Sequence, residues 1–172
     1  MNAKSLCNLL TSSAMTAIAA IILTMPIKNV MAQNAMDQNV VITLQTNPLL
    51  NPEAACVALQ LGMNLLRSDI SDEAVASVTL FPTLEGVSIV SEKMKLRDND
   101  KYPRRWNCST PDGEEPLPEI LAGFNDQMGT NIVVCPLCWM DRFDGEDPIY
   151  GSLGDGPTIH NLFLNADKVI DF

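Results

Sequence analysis

Short, almost wholly apolar runs recur along this chain, each followed by a stretch with helical spacing, and that alternation constrains the fold more than any other feature. Asn39 to Thr46 (NVVITLQT) reads as a first strand, rich in β-branched residues. Asn51 is then placed to cap a helix, with Pro52 at its first position and Glu53 near its positive end. Apolar residues at Ala55, Cys56, Leu59, Met63 and Leu66 make a helical stripe. Val75 to Phe81 reads as a second strand ended by Pro82, and Leu84 to Met94 as a short helix containing Gly86-Val87. Pro116 to Met128 is expected to be a helix with Ile120, Leu121, Phe124 and Met128 on one face and Gly129 as its stop. Asn131 to Cys135 is a third strand, Trp139 to Gly156 reads as a loop, Pro157 begins a last helix, and Lys168 to Phe172 is a final strand. Nearly all-apolar strands alternating with helices imply an α/β fold, a mostly parallel sheet of about five strands covered on both faces.

The N-terminal end reads as a targeting segment. Lys4 supplies a short positive region, Leu9 to Met25 is mostly apolar, Pro26 and Lys28 break it, and Val30-Met31-Ala32 offers small residues for cleavage after Ala32. The alternative is an uncleaved anchor, but the apolar stretch contains Thr11, Ser12, Ser13 and Thr16, and it is short for a span of ~20 residues. Residues 1–32 are therefore expected to be a signal peptide and residues 33–172 a single domain, periplasmic or secreted, with no membrane association after cleavage. Removing Lys4 and Lys28 from 11 basic residues leaves 9 against 21 acidic ones. A chain this acidic is not expected to bind nucleic acid or anionic membranes. Within it, Lys95 to Glu115 holds Pro103, Pro111 and Gly113 and shows no hydrophobic period, so it reads as a long surface insertion, a docking loop or a solvated one.

Cleavage leaves Cys56, Cys108, Cys135 and Cys138. In an oxidising compartment an even number suggests disulfides, with several connectivities open. Cys56 lies on the apolar face of the first helix and reads as a buried small hydrophobe. Cys108, beside Trp106 in a mobile and exposed setting, reads equally as a resolving thiol, a disulfide partner or incidental. Cys135-Pro136-Leu137-Cys138 stands apart, because it follows the run Ile132-Val133-Val134 directly. The carboxyl end of a parallel strand, where a helix begins, favours negative charge and so a thiolate. In such sheets sites lie at these ends, near a topological switch point.

Other chemistries fit less well. Zinc needs four ligands, usually in two pairs, and only Cys56, Cys108 and the lone His160 remain. His160 reads as a structural or surface histidine. The acidic group Asp141, Asp144, Glu146 and Asp147 lacks the regular spacing of a calcium loop and would raise nearby thiols, whereas Arg142 would lower them. No metal or other cofactor is expected. A thioredoxin-type redox pair fits Cys135 and Cys138 locally, although most of the domain precedes the motif. A structural disulfide between them closes almost no loop and contributes little.

Taken together, the segments resemble the DsrE/DsrF-like sulfur-relay family. The matching residues include VVITLQT, PEAACVALQLGMNLL, LFPTLEGVSIVSEKM, ILAGFNDQMGTNIVVCPLC and NADKVIDF, and the resemblance extends from Asn39 to Phe172 apart from the Lys95–Glu115 insertion. The resemblance implies a flavodoxin-like three-layer sandwich, assembled as a homo-oligomer, a trimer or hexamer. It also implies a sulfurtransferase or sulfur carrier that exchanges sulfane sulfur with donor and acceptor proteins or small thiols. Cys135 matches the position that accepts sulfur as a persulfide, with Cys138 as the resolving or assisting thiol. The alternatives are a thiol–disulfide oxidoreductase using the same pair, or a non-enzymatic oligomeric module.

Overall fold

Residues of opposite parity along each strand point to opposite sides of a sheet, so runs apolar at every position need cover on both. In the computed structural model, which describes residues 38–67, 75–96, 102–143 and 145–172, the strands meet that need. All described residues fall in the compact unit Asn34–Phe172. The expected signal peptide lies outside them.

Five strands form one all-parallel sheet: β1 (Asn39–Leu44), β2 (Ser77–Pro82), β5 (Thr130–Val134), β6 (Ser152–Leu153) and β7 (Lys168–Asp171). Their order is β6-β5-β2-β1-β7, an α/β arrangement consistent with a flavodoxin-like fold. The chain steps from β1 outward to β6, then crosses back to place β7 on the other side of β1. The switch point is thus between β1 and β7, whereas Cys135 follows β5, with β2 between it and β1. Its carboxyl-end position matches the sequence reading; a position at the switch point does not.

On one face Val40, Ile42 and Leu44 of β1, Val78 and Leu80 of β2, and Ile132 and Val134 of β5 make the main core. It is closed by α1 (Glu53–Leu65) and α2 (Leu117–Asp126), whose Ala55, Ala58, Leu59, Leu121 and Phe124 are buried. On the other face Val41, Phe81 and Val133 pack against Ile159 and Leu162 of α4 (Gly156–Leu164). The Phe81 and Phe163 rings meet edge to face at 5.2 Å.

Several boundaries differ from the sequence reading. Pro52 is the N-cap of α1 and no side chain caps it, so Asn51 does not serve. Leu84 to Met94 is not α-helical: it forms 3-10 turns at Leu84–Val90 and Glu92–Met94. α2 ends at Asp126, which leaves Met128 93% exposed instead of on the apolar face. The helix is capped by Gln127 in an extended conformation, so Gly129, with φ 91°, is not its stop but lies two residues further on, in the turn into β5.

The larger differences are in the two stretches read as loops. The described part of the insertion, from Tyr102, forms a 3-10 turn at Arg104–Trp106 and an antiparallel hairpin, β3 (Asn107–Thr110) and β4 (Gly113–Pro116). Its strands pair with each other, so the period that marks a core-facing strand is missing. Cys108 on β3 is 1% exposed and disulfide-bonded to Cys56 of α1, with Cα atoms 5.5 Å apart. The expectation of an exposed, mobile Cys108 is therefore wrong, and Cys56 is buried but not a simple hydrophobe. The second stretch, Trp139 to Gly156, begins inside α3 (Pro136–Phe143) and contains β6.

Candidate thiol site

Cys135 sits at the junction of β5 and α3. Its N–H donates to the Pro82 carbonyl at 3.1 Å, which ties the junction to the end of β2. Its carbonyl accepts from the Trp139 N–H at 3.0 Å, closing the first turn of α3. Pro136 suits that turn because a first-turn N–H has no helical partner. One turn brings Cys138 back over Cys135, with the sulfurs 2.7 Å apart. Both thiols are half-buried and unbonded.

Trp139 fixes α3. It is 1% exposed, its Nε1 donates to the Glu146 carbonyl at 2.8 Å, and its ring centroid lies 4.5 Å from that of Phe143. The short helix is thereby held by its one fully buried residue.

The facing wall is the segment after β2. Thr83 Oγ1 lies 3.4 Å from Cys138 Sγ. Leu84 adopts φ 49°, a left-handed conformation rare for a residue with a side chain, and its backbone N–H hydrogen-bonds the Cys138 sulfur. Gly86 lets this segment approach β1, since a Cβ there would stand 1.9 Å from the Leu44 carbonyl oxygen. Arg142 of α3 closes the rim. Its Nη1 donates to the Cys138 carbonyl at 3.3 Å and its Nη2 reaches Glu85 at 2.5 Å. Asn47, beyond β1, donates to Glu85 at 3.3 Å and accepts from Ser88 Oγ at 3.2 Å.

These surroundings separate the two thiols. Burial pushes Cys135 up and its hydrogen bond to Cys138 adds to that, outweighing the Cys138 backbone N–H and the Thr83 hydroxyl, which pull it down. Burial also pushes Cys138 up, but the Cys135 thiol, the Thr83 hydroxyl, the Leu84 N–H and the Arg142 charge outweigh it and hold Cys138 below the ordinary thiol value. The guanidinium of Arg142 holds Glu85 below the usual carboxylate range. Of the acidic group after the motif, Asp141 pairs with Arg142 at 3.4 Å, and Asp144 is outside the described residues. Among the described residues no three His, Cys, Asp or Glu side chains converge in a way that could hold a metal ion. His160 is exposed on α4.

Cys135, Cys138 and Arg142 are thus brought together as one site. Cys56 and Cys108 are joined to each other elsewhere in the fold. Sequence reasoning missed Thr83, Leu84, Glu85 and Asn47. The available signal was that Thr83 directly follows a strand's carboxyl end, the same rule that singled out Cys135. What it lacked was the adjacency of β2 and β5.

No family model matches this chain. No curated protein matches it either. Among solved structures it is similar to the crystal structure of the ychN protein from E. coli, with TM-score 0.47 and 17% identity, over 80% of this chain and 100% of that one. A likeness this distant bears on neither site nor activity.

Proposed function

We propose that this chain is an exported DsrE/DsrF-like protein that binds or transfers sulfane sulfur as a persulfide on the Cys135–Cys138 pair. The observation that carries this reading is the pair itself: two half-buried thiols, sulfurs 2.7 Å apart, at the carboxyl end of a parallel strand, with one held toward its thiolate form. A thiolate attacks the outer sulfur of a donor, carries it, and yields it to another thiol. Mass spectrometry after exposure to inorganic polysulfide tests the reading. One added sulfur per chain is expected in the wild type and none in the Cys135→Ser/Cys138→Ser variant; equal loading of both would end it.

A second reading, dithiol–disulfide exchange, is favoured by the same short separation, because little movement would join the sulfurs. Titration against a glutathione redox series tests it, and the absence of a reversible two-electron couple would exclude it.

Export is supported by the N-terminal sequence pattern and by the Cys56–Cys108 disulfide, a bond typical of oxidising compartments. Homo-oligomer formation is supported by α4, which contains no buried residue, with Leu164 68% exposed and Val169 of β7 47% exposed nearby on the same face of the sheet. Sedimentation of wild type and Leu164→Glu tests it; a monomeric wild type would refute it.

A further inference from the structure

We propose that the thiol pair opens into a docking surface for a cysteine-bearing segment of another protein, with apolar residues beside its cysteine and basic residues beyond them, and that this surface disfavours anionic small thiols. The proposal rests on the exchange chemistry given to the pair above and names the partner it acts on. Three large apolar side chains rim the sulfurs and are turned to solvent: Leu137 at 74%, Leu84 at 52% and Met140 at 50%. Leu137 and Met140 stand three positions apart on α3, the spacing that makes neighbours on a helix surface. Leu84 comes from the facing wall, where its N–H meets the Cys138 sulfur. Single exposed apolar residues need no explanation, but three around one reactive group do. Leu84 carries a further sign. At φ 49° a glycine or asparagine would sit with less strain, and a leucine there keeps a half-exposed apolar side chain at the mouth of the site.

Charge at the rim selects the outer part of the partner. Arg142 reaches the Cys138 carbonyl at 3.3 Å, and its guanidinium already holds Glu85 at 2.5 Å and Asp141 at 3.4 Å. Two carboxylates against one guanidinium leave this rim net negative, and both are more than half exposed, at 55% and 77%. The whole chain carries a formal charge of −10. An anionic donor such as glutathione persulfide would have to displace a carboxylate from Arg142 and approach against this field, whereas a lysine or arginine of a partner meets Glu85 and Asp141 directly. The transfer balances with no further reactant. A thiolate of the pair attacks the outer sulfur of the partner's Cys–S–SH, the new S–S bond forms, the old one breaks, and its electron pair leaves on the partner's cysteine sulfur. Run in reverse, the same step discharges the pair to an acceptor cysteine.

The test uses short peptides whose single cysteine is activated as a mixed disulfide with 2-thiopyridine, and the chain with its Cys56–Cys108 disulfide intact. A thiolate of the pair attacks the peptide sulfur and expels pyridine-2-thiolate, which takes up a proton and absorbs as the thione, giving the rate. Rates are taken relative to those of the same peptide with 2-mercaptoethanol and of the same protein with iodoacetamide, which corrects for the intrinsic reactivity of each. The reference peptide has leucine on both sides of its cysteine and lysine beyond. Exchanging lysine for glutamate is expected to slow it about tenfold at ~0.01 M salt, and the gap should close at ~1 M. Exchanging leucine for serine should slow it at both salt concentrations, and glutathione in the same activated form should rank with the glutamate peptide. Leu137→Ser/Met140→Ser should remove the lead of the leucine peptide over the serine peptide. Equal rates for those two peptides on the wild type, or an undiminished lead on the variant, overturn the docking surface; a glutamate peptide as fast as the lysine one overturns the charge selection. If the ranking holds while the wild type takes no sulfur from polysulfide, the sulfur function fails and the docking surface stands. Sulfur loading with equal peptide rates gives the reverse.

Discussion

Arg142 and Glu85 stand 57 positions apart in the chain, yet Nη2 of the first lies 2.5 Å from Oε1 of the second. The pair links α3 to the segment after β2, and the guanidinium also contacts the Cys138 carbonyl at 3.3 Å. Its positive charge is one of the influences that hold Cys138 below the ordinary thiol value.

Arg142→Met is therefore expected to move the Cys138 midpoint upward. The sign follows from the lowered value: between the folded and ordinary values, the native protein holds Cys138 deprotonated while the unfolded chain keeps its proton. The corresponding stability is present at higher pH and is lost as pH falls through the folded value. Removing a cation narrows that window from below. Alkylation rate against pH measures it, and salt should diminish the effect because the side chain is 28% exposed. A downward shift would refute the role given to Arg142.

Gly86→Ala should be strongly destabilising, because its Cβ would stand 1.9 Å from the Leu44 carbonyl oxygen, a backbone atom that cannot swing aside. A loss of about 3 kcal/mol is expected from overpacking of this kind. Gly123→Ala is the control: it sits in α2 with nothing within 4 Å of the new methyl. That change should stabilise by roughly 0.5–1 kcal/mol through helix propensity. Urea midpoints compare the two, and similar midpoints would count against the close approach.

Replacing both Cys56 and Cys108 by alanine should lower stability by roughly 2–4 kcal/mol, since the bridge spans a sequence separation of 52. The hairpin has few other ties, among them Gln60 Nε2 donating to the Ser109 carbonyl at 3.0 Å. Proteolysis of the variant should begin in the 102–116 segment. First cleavage elsewhere would show that the disulfide is not what holds the hairpin.

Trp139→Ala should cost about 3–5 kcal/mol, as large-to-small changes of fully buried aromatics do. It also removes the hydrogen bond to the Glu146 carbonyl at 2.8 Å. Because Trp139 anchors α3, the Cys138 midpoint should drift toward the ordinary thiol value as well. A destabilised variant with an unchanged midpoint would mean that α3 keeps its place without the indole.

The core-facing strands were legible because their signal is local: NVVITLQT and NIVVC each carry an unbroken run of three β-branched apolar residues, and that reads as a strand covered on both faces. The 3-10 character of Leu84–Val90 was not legible, because Leu84, Glu85 and Val87 carry the same residue types a short α-helix would. The hairpin at 107–116 was hidden for a different reason. Its two short strands pair edge to edge in a sheet of their own and carry mostly polar residues, so no periodic apolar face marks them.

The amino-acid sequence by itself determined the alternation of strands and helices, the α/β class and the position of Cys135 and Cys138 at a strand's carboxyl end. All of these follow from residue type and spacing within a few positions. Only the tertiary structure decided that Cys56 pairs with Cys108, that β2 lies beside β5, and that Thr83, Leu84 and Arg142 gather on the Cys135–Cys138 pair. Apart from Arg142, those contacts join residues more than fifty positions apart. Thr83 and Leu84 reach the two sulfurs because the strand order sets β2 beside β5, and spacing along the chain carries no trace of that.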